Sequence, residues 1–316
     1  MEERRELKIV VTGALGHIGS KLIRELPRHY EDLELLLLDN LMTQRYCSLF
    51  NLPKGTNYRF VECDVTTVDL LPLLDDTSVV IHLAAITDAA GSFEKANFVE
   101  QNNYVATQQV AKACLTVGAK MIHLSSTSVY GTQKSLVDED CKEKDLNPQS
   151  PYASTKLKEE RLVQQMVKME GLKAVTFRFG TIFGVSPGMR FHTAVNKFCW
   201  QAAMGLPITV WSTAYEQKRP YLDLDDACRA IAHVIRQDLF VGEVYNVLTL
   251  NATVREIVGS IKVFVPDLRV EFVENLIMNQ LSYEVSTQKW VQKRFFYSGN
   301  LSKTIKAELR WLNVTN

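Results

Sequence analysis

The chain has 316 residues, of which 46% are hydrophobic and 23% are charged, and its formal net charge is zero. This composition predicts one large or two modest globular domains with an ample core, and the absence of a basic excess argues against nucleic acid as a partner. The N-terminal residues lack the apolar region of a signal peptide and no apolar run is long enough to span a bilayer, so no membrane partner is expected.

The six cysteines are scattered along the chain, without a Cys-x-x-Cys motif or a cluster of cysteine and histidine. This spacing disfavours both a zinc site and a disulfide framework, so no metal is expected. We interpret the cysteines as reduced thiols, which favours a cytoplasmic location.

A glycine-rich turn follows the first predicted element. Residues 7–12 form a short β-branched run that predicts a buried strand, and this run leads directly into Gly13-x-x-Gly16-x-x-Gly19 and a helical stretch. Strand, turn and helix in this order are the context of a dinucleotide fingerprint, because glycines let the backbone approach a pyrophosphate at a helix N-terminus. The alternative is a glycine-rich turn without a ligand. The predicted cofactor contacts in this stretch are Gly13, Gly16, His17, Ile18 and Gly19.

The second and third predicted strands each end near an acidic residue. Residues 34–39 end at Asp39, about 20 residues beyond the last glycine, where an acid would hold the adenosine ribose hydroxyls. A carboxylate there repels a 2′-phosphate, which favours NAD over NADP, although an ordinary strand-ending aspartate is the alternative. Residues 58–65 contain Asp64, which is expected either at the adenine or in a capping or turn role. The other cofactor contacts predicted here are Asn40 and Val65.

The fourth predicted strand, residues 79–85, ends in small side chains that leave room for a cofactor. A long helix over residues 97–117 follows, and it contains Asn103. The fifth strand, residues 120–126, then runs into a group of hydroxyl side chains. Hydroxyls at the carboxyl end of a parallel strand lie where such sheets bind ligands, and serines that cap a turn are the alternative. The residues concerned are Leu83, Ala84 and Ala85 after the fourth strand and Ser126 and Thr127 after the fifth.

Tyr152 and Lys156 lie four residues apart at the start of a predicted helix over residues 152–169. That spacing places both side chains on one helical face. A phenol is a poor base because its ordinary pKa is about 10, but a nearby ammonium and the positive ring of an oxidised nicotinamide favour the phenolate. The pair could then take a proton from a sugar or alcohol hydroxyl at neutral pH. By itself the motif is weak, because it occurs by chance on many helices.

Strands that alternate with helices over the first 180 residues predict a parallel, doubly wound sheet. Beyond residue 184 the predicted elements become short and irregular, as expected of a small lid over a cofactor. We therefore assign residues 1–180 to an NAD-binding domain, with residues 221–247 returning to it, and residues 181–316 mostly to substrate binding. The later predicted elements are helices over residues 193–204, 224–236, 253–265 and 301–311 and strands over residues 172–178, 206–211, 218–222, 244–247 and 268–273.

The glycine-rich turn, Asp39, Ser126 and the Tyr152-x-x-x-Lys156 pair together resemble the extended short-chain dehydrogenase/reductases. Within these, the chain looks most like the sugar-nucleotide epimerases and dehydratases, over nearly its whole length. The resemblance implies an α/β fold: a Rossmann-type doubly wound parallel sheet with a smaller C-terminal substrate-binding lid. It also implies NAD as the cofactor and a nucleotide sugar as the substrate.

The resemblance assigns a role to each matching residue. Ser126, Tyr152 and Lys156 would be catalytic: Ser126 binds the reacting hydroxyl, and Lys156 also holds the nicotinamide ribose. Asn103 would lie near the site, among the cofactor contacts. The residues expected to bind substrate are Ser126, Thr127, Thr181, Arg219 and Arg294, with the two arginines facing the nucleotide diphosphate. Surface arginines are the alternative for those two.

Departures from the family pattern bear on the reaction. The related 4,6-dehydratases have an Asp-Glu or Ser-Glu pair where this chain has Thr127 and Ser128, so elimination of water assisted by a carboxylate there is not expected. A substrate-contacting Asn is replaced, and Thr181 would do part of its work. The usual Arg-Asp-Tyr is here Arg219-Pro-Tyr221. Both replacements leave the identity of the sugar open.

The leading hypothesis is NAD-dependent epimerisation of a nucleotide-linked sugar at C4, through a 4-keto intermediate. The alternatives are one-way C4 oxidation or 4-keto reduction by the same residues, and a non-catalytic NAD-binding protein. The resemblance also implies a homodimer through helices 97–117 and 152–169. The apolar positions offered for that interface could equally pack on the sheet, and they are Leu157, Val163, Met166 and Val167.

Overall fold

A computed structural model of the chain describes residues 7–87, 93–131, 135–274 and 282–312. The strands, in chain order, are β1 (Leu7–Thr12), β2 (Leu33–Asp39), β3 (Asn57–Glu62), β4 (Val79–His82), β5 (Lys120–Ser126), β6 (Leu136–Val137), β7 (Ala174–Phe179), β8 (Thr181–Phe183), β9 (Ile208–Trp211), β10 (Lys218–Asp223), β11 (Val244–Val247), β12 (Leu250–Thr253), β13 (Val270–Val273) and β14 (Glu284–Val285). The helices are α1 (His17–Glu25), α2 (Leu71–Leu74), α3 (Ala96–Val117), α4 (Pro151–Glu170), α5 (Ala194–Ala203), α6 (Leu224–Gln237), α7 (Val254–Lys262), α8 (Gln288–Val291) and α9 (Leu301–Trp311).

Seven parallel strands form the central sheet, in the order β11-β7-β5-β4-β1-β2-β3. The chain builds outward from β1 to β3 and then crosses to the other side of β1 to add β4. In such sheets, ligands bind in the crevice where the winding direction changes, here outside the carboxyl ends of β1 and β4. The predicted α/β fold with a doubly wound parallel sheet is confirmed.

The strands of this sheet are buried on both faces, which explains their runs of Val, Ile and Leu. Ile9 and Val11 of β1 pack on the face that α1 and α6 cover, whereas Val10 packs on the face that α3 and α4 cover. Successive residues of a strand point to opposite faces, so one short apolar run supplies both halves of the core.

Capping residues determine where helix α4 begins and ends. Ser150 is the N-cap and its hydroxyl accepts a hydrogen bond from the Ala153 amide, while Pro151 occupies the first helical position. The helix ends at Gly171, which has the left-handed conformation common at helix C-termini. Because α4 follows the β5 region and lies against α3, its first turn is held near the carboxyl ends of the sheet strands.

The remaining elements form smaller units beside the sheet. β10 pairs with β8 and β12 in a three-stranded sheet, β9 pairs with β13, and β6 pairs with β14. Helices α5, α7 and α9 enclose a separate apolar cluster around Phe183 and Ile257. None of the helices in the described ranges combines the length and the apolar character needed to cross a bilayer.

The structure refines two of the sequence-based expectations. β4 ends at His82 rather than at residue 85. The Leu83 amide still donates to the Thr12 carbonyl of β1, but the Ala84 amide donates to the Thr12 hydroxyl instead of to a strand backbone. The helical positions Leu157, Val163 and Met166 are buried within this one chain. For those side chains, packing inside the protomer is the alternative that the structure favours.

Candidate active site

A cleft of about 810 Å³ opens at the carboxyl ends of β1, β4 and β5. Its volume is within the range of small-molecule sites. It brings together most of the residues singled out from the sequence. Those that line it are Gly13, Gly16, His17, Ile18, Gly19, Asp39, Asn40, Asp64, Val65, Leu83, Ala84, Ala85, Ser126, Thr127, Tyr152, Lys156, Thr181 and Arg219.

The glycine-rich turn forms one wall of the cleft. Gly13 has a φ of 65°, and a Cβ there would lie 2.7 Å from the Ala84 nitrogen, so a larger residue would push β1 and β4 apart. Helix α1 begins next, and its N-cap, Gly16, offers no side-chain hydrogen bond to the first turn. The first amides of α1 therefore stay available to an anion at the positive end of the helix dipole, which fits a pyrophosphate.

Asp39 is fixed at the end of β2 beside this turn. Its Oδ2 accepts from the Leu15 amide at 3.0 Å and its Oδ1 accepts from the Leu41 amide at 2.9 Å. A carboxylate has about four lone-pair sites, so two bonds leave acceptor capacity for two ribose hydroxyls. The residue thus both ties the glycine-rich turn to β2 and fits the role predicted for it.

Asp64 lies in a tight turn after β3, at the same end of the cleft. Its carboxylate accepts from the hydroxyl and amide of Thr66 and from the Asn40 amide. The Thr66 hydroxyl is the main cause of a lowered Asp64 pKa, so this carboxylate is ionised at neutral pH. Asp64 therefore has the turn role that the sequence left open, and it also lines the cleft, while its place at the adenine stays a prediction.

The end of β5 carries the hydroxyl groups. Ser126 Oγ accepts from the Ser128 amide at 3.1 Å and lies 2.9 Å from Ser128 Oγ. With Ser128 as donor, the Ser126 hydroxyl keeps its own proton for a ligand. Thr127 is buried and its hydroxyl donates to the Phe179 carbonyl, so that proton is already used. Ser126 is therefore better suited than Thr127 to donate to a bound sugar.

Tyr152 and Lys156 face the cleft from the first turns of α4. Burial raises the pKa of the Tyr152 phenol, and the nearby Lys156 ammonium offsets part of that rise. Lys156 is 4% exposed, and its Nζ donates to Glu159 Oε2 at 2.8 Å. Burial alone would lower the pKa of Lys156, but Glu159 raises it above the ordinary value, so the lysine is an ammonium. Sequence reasoning missed Glu159, although a carboxylate three residues after Lys156 on a buried helical face was the available signal.

Several positive side chains line the cleft. Arg219 is partly buried, stacks 5.3 Å from the Tyr283 ring and donates to Gln217. The other lining cations, which sequence reasoning missed, are Arg45, Arg190 and Lys197. Arg190 and Lys197 follow Gly184, in the segment interpreted as a lid, and their proximity to the glycine-rich turn arises only from the fold. Guanidinium and ammonium groups grouped in this way suit phosphate oxygens.

Two predicted contacts fall outside the cleft lining. The Asn103 side chain spans the backbone of Ile86, accepting from its amide at 2.8 Å and donating to its carbonyl at 2.9 Å. Both ends of the Asn103 amide are thereby used to hold the segment after β4, and Asn103 supports the cleft without lining it. Arg294 is exposed in the turn after α8, with a φ of 61°, and does not line the cleft. For Arg294, this placement favours the alternative of a surface arginine.

Comparison with known proteins agrees with this geometry. The NAD dependent epimerase/dehydratase family model matches residues 9–247. A trifunctional UDP-glucose 4,6-dehydratase/UDP-4-keto-6-deoxy-D-glucose 3,5-epimerase/UDP-4-keto-L-rhamnose-reductase of Arabidopsis thaliana is 31% identical over 316 residues, covering 94% of this chain and 46% of that protein. The chain therefore spans about half the length of this relative.

Two further proteins are similar over more equal lengths. UDP-glucuronate 4-epimerase of Thermodesulfobacterium geofontis is 30% identical over 229 residues, covering 70% of this chain and 69% of that protein. The crystal structure of UDP-glucuronic acid 4-epimerase from Bacillus cereus, in complex with UDP-glucuronic acid and NAD, superposes with a TM-score of 0.88. It is 27% identical, and the match covers 97% of this chain and 99% of that one. Because the family model matches residues 9–247, well over half of the chain, the chain belongs to the NAD-dependent epimerase/dehydratase family, and its cofactor is NAD.

Proposed function

We propose that this chain epimerises a nucleotide-linked sugar at C4, through a 4-keto intermediate and without net consumption of NAD. One observation carries the proposal. Ser126, Tyr152 and Lys156 line one end of the cleft, whereas the acidic side chains among its described lining residues are Asp39 and Asp64, at the other end. Since β2 lies three strands from β5 in the sheet, Asp39 is separated from Ser126 by about 14 Å.

The distribution of acids bears on which reaction is possible. Moving a proton on and off the 4-hydroxyl needs one base, and Tyr152 supplies it. Eliminating water also needs an acid beside the departing hydroxyl, and the two positions after Ser126 carry the hydroxyls of Thr127 and Ser128 instead. The relatives include proteins named as 4,6-dehydratases as well as 4-epimerases. The side chains of this cleft favour the second activity.

Each residue has a defined task in this mechanism. The Ser126 hydroxyl donates to the sugar 4-oxygen and holds it beside the phenol of Tyr152. Tyr152 takes the proton from that oxygen and later returns it, so the base is regenerated in each cycle. Lys156 would bind the nicotinamide ribose and favour the phenolate. Bound NAD would supply reversible hydride transfer at C4, and inversion requires that the hydride return to the other face of the keto sugar.

The lid side of the cleft would bind the nucleotide part of the substrate. Arg219, Arg190 and Lys197 are the cations available to the diphosphate. We propose that residues 1–180, together with 221–247, bind NAD, and that most of residues 181–316 bind the nucleotide sugar. The junction of β11 with the central sheet supports this division, because it returns the chain to the cofactor-binding part.

We also propose a cytoplasmic homodimer. The cysteines of the described chain form no disulfide, which is the expected state in a reducing compartment. Because Val163 and Met166 are buried in the protomer, an interface through helices 97–117 and 152–169 would use outward side chains such as Phe98, which is 53% exposed. Light scattering at micromolar concentration tests this, and a monomer would contradict it.

The experiment for the activity is a panel of UDP-, GDP-, CDP- and dTDP-sugars incubated with the purified protein without added cofactor. Products are followed by NMR, and absorbance of NADH is recorded in parallel. A new C4 epimer without net NADH supports the proposal. NADH formed in proportion to a keto product would make the chain a dehydrogenase, and no turnover of any sugar would favour a binding protein.

A further inference from the structure

A buried ion pair lies directly behind the proposed base. Lys156 Nζ donates to Glu159 Oε2 at 2.8 Å, and the two residues are 4% and 0% exposed. Tyr152, Lys156 and Glu159 are spaced four and three residues apart on α4, so they share one helical face. Burying a carboxylate is costly unless it is paired and hydrogen-bonded. A charge at this position therefore calls for an explanation.

A chain of hydrogen bonds from the floor of the cleft ends on Glu159. The Thr107 hydroxyl donates to Glu159 Oε2 at 2.9 Å and lies 3.2 Å from His82 Nε2. Since the Thr107 proton goes to Glu159, its oxygen accepts from His82 Nε2–H, and His82 Nδ1 accepts from the Thr12 hydroxyl at 2.8 Å. Thr12 in turn accepts from the amides that follow β4. Every donor in this series points toward the carboxylate, which stabilises its negative charge.

The charged and titratable groups around the base come from several elements. Tyr152 faces Lys156 and Glu159 of α4 and Arg190 of the segment after β8. Glu159 also faces His123 of β5, whose Nε2 lies 3.3 Å from Oε2, and His82 of β4 lies near both members of the ion pair.

Glu159 and Lys156 together are neutral. Burial alone would raise the pKa of Glu159, but the Lys156 ammonium and His123 lower it to about 2. The carboxylate is therefore ionised at neutral pH, and its negative charge opposes the effect of Lys156 on the phenol. Lys156 thus favours the Tyr152 phenolate, whereas Glu159, which is hydrogen-bonded to Lys156, disfavours that phenolate.

We propose that Glu159 is a positioning residue that fixes the Lys156 ammonium, offsets its positive charge and so sets the pH at which Tyr152 loses its proton. The inference rests on the proposed function only in taking Tyr152 as the base. The ion pair with Lys156 gives Glu159 a role on a helical face that is otherwise buried and continues into the apolar Val163 and Met166.

The test follows the ionisation of Tyr152 directly by NMR, on the full-length chain saturated with NAD and labelled with ¹³C at the tyrosine Cζ. The Tyr152 resonance is identified by its loss in Tyr152→Phe. Glu159→Gln should lower the midpoint of the Tyr152 titration by on the order of one pH unit, because a negative charge near the phenolate is removed. Glu159→Met, of similar length and also neutral, should lower it in the same way if the glutamine variant does not fold.

Two control variants distinguish the effect of the Glu159 charge from the effects of side-chain position and of lost stability. Glu159→Asp retains the charge but shortens the side chain, so its midpoint should stay near that of the parent while kcat falls. Glu160→Gln breaks the neighbouring buried ion pair with Arg178 and should leave the Tyr152 midpoint in place. An unchanged or raised midpoint in both neutral variants of Glu159, or an equal shift in Glu160→Gln, would overturn the inference.

This readout needs no turnover, so the two proposals fail separately. A parent protein that epimerises a sugar while the neutral Glu159 variants keep its midpoint would overturn the inference and leave the function standing. A lowered midpoint in a protein that turns over no sugar would support the inference about ionisation and reject the function.

Discussion

His17 Nδ1 lies 2.8 Å from Ser186 Oγ, which joins the glycine-rich turn to the segment after β8. His17 Nε2 also lies 3.3 Å from Asn196 Nδ2, at the start of α5. In the same region a Cβ on Gly188 would lie 2.3 Å from the Leu15 carbonyl, so the two segments can approach this closely only because residue 188 is glycine. The part of the cleft suited to NAD and the part suited to the nucleotide sugar are therefore in direct contact.

The first prediction concerns the pH dependence of this contact. Burial, followed by the nearby Arg190 and Arg45, lowers the pKa of His17 to about 3 from the ordinary 6.5. Between those values the unfolded chain binds more protons than the folded one, so stability present above pH 6.5 is lost as the pH falls toward 3. The loss should approach about 1.4 kcal/mol per pH unit for this one residue.

His17→Asn should flatten the dependence of the unfolding free energy on pH between 6.5 and 4, measured by urea denaturation. His29→Asn is the matched control, because it makes the same substitution at an exposed histidine outside this contact. An identical slope in the parent and in His17→Asn would contradict the assignment of a neutral, buried imidazole.

The second prediction concerns Tyr152 as the base. Tyr152→Phe should lower kcat by about 10²- to 10⁴-fold, as expected when a general base is removed, while NAD affinity changes little. Turnover is measured by NMR and NAD binding by calorimetry. Tyr283→Phe is a suitable control, because Tyr283 also lines the cleft but its hydroxyl donates to the Thr127 carbonyl. Comparable losses in both variants would argue against a special role for Tyr152.

A third prediction tests how the site selects NAD. Asp39→Asn should weaken NAD binding by about 1.4 to 2.8 kcal/mol, equivalent to about 10- to 100-fold, because hydrogen bonds to a charged acceptor are lost. The same change should narrow the preference for NAD over NADP, since the carboxylate no longer repels a 2′-phosphate. Dissociation constants for both cofactors provide the measurement. Asp64→Asn, at the same end of the cleft, should leave the ratio of the two constants nearly unchanged.

The fourth prediction concerns the buried ion pair between Glu160 of α4 and Arg178 of β7. Arg178 pairs with both carboxylate oxygens of Glu160 and also donates to the Tyr130 hydroxyl at 2.8 Å. Glu160→Gln leaves this guanidinium without its counter-charge, so the free energy of unfolding should fall by about 3–5 kcal/mol. Lys158→Gln breaks an exposed ion pair between Lys158 of α4 and Glu100 of α3. This variant should change the free energy of unfolding by less than about 1 kcal/mol. Chemical denaturation of both variants decides whether burial makes the difference.

The sequence predicted those parts of the fold whose signals are local. The β-branched run of β1, the glycine-rich turn after it and the helix that carries Tyr152 and Lys156 each depend on neighbouring residues, and the structure has these elements where they were expected. Short strands such as β8 and β14 were missed. Their pairing partners are remote in the chain, and two or three residues carry no recognisable period.

Placements at the site that the sequence did not predict have the same physical origin. The amide of Asn103 is used on the backbone of Ile86, and Arg294 turns outward after α8, neither of which a motif can report. Glu159 was overlooked because its significance depends on Thr107 and His123, which come from other elements. Residue type and spacing therefore indicated the glycine-rich turn and the Tyr152–Lys156 pair that line the cleft, while the groups packed around them could be identified only from the fold.

The most direct test of the account follows the hydrogen at C4 of the sugar. A nucleotide sugar that proves to be a substrate is prepared with deuterium at C4 and incubated with the enzyme carrying unlabelled NAD, and the product is analysed by NMR and mass spectrometry. Epimerisation at C4 predicts a product inverted at C4 that retains the deuterium, with no net NADH. Inversion accompanied by loss of deuterium to water, or deuterium accumulating in free NADH beside a keto sugar, would contradict the proposed function.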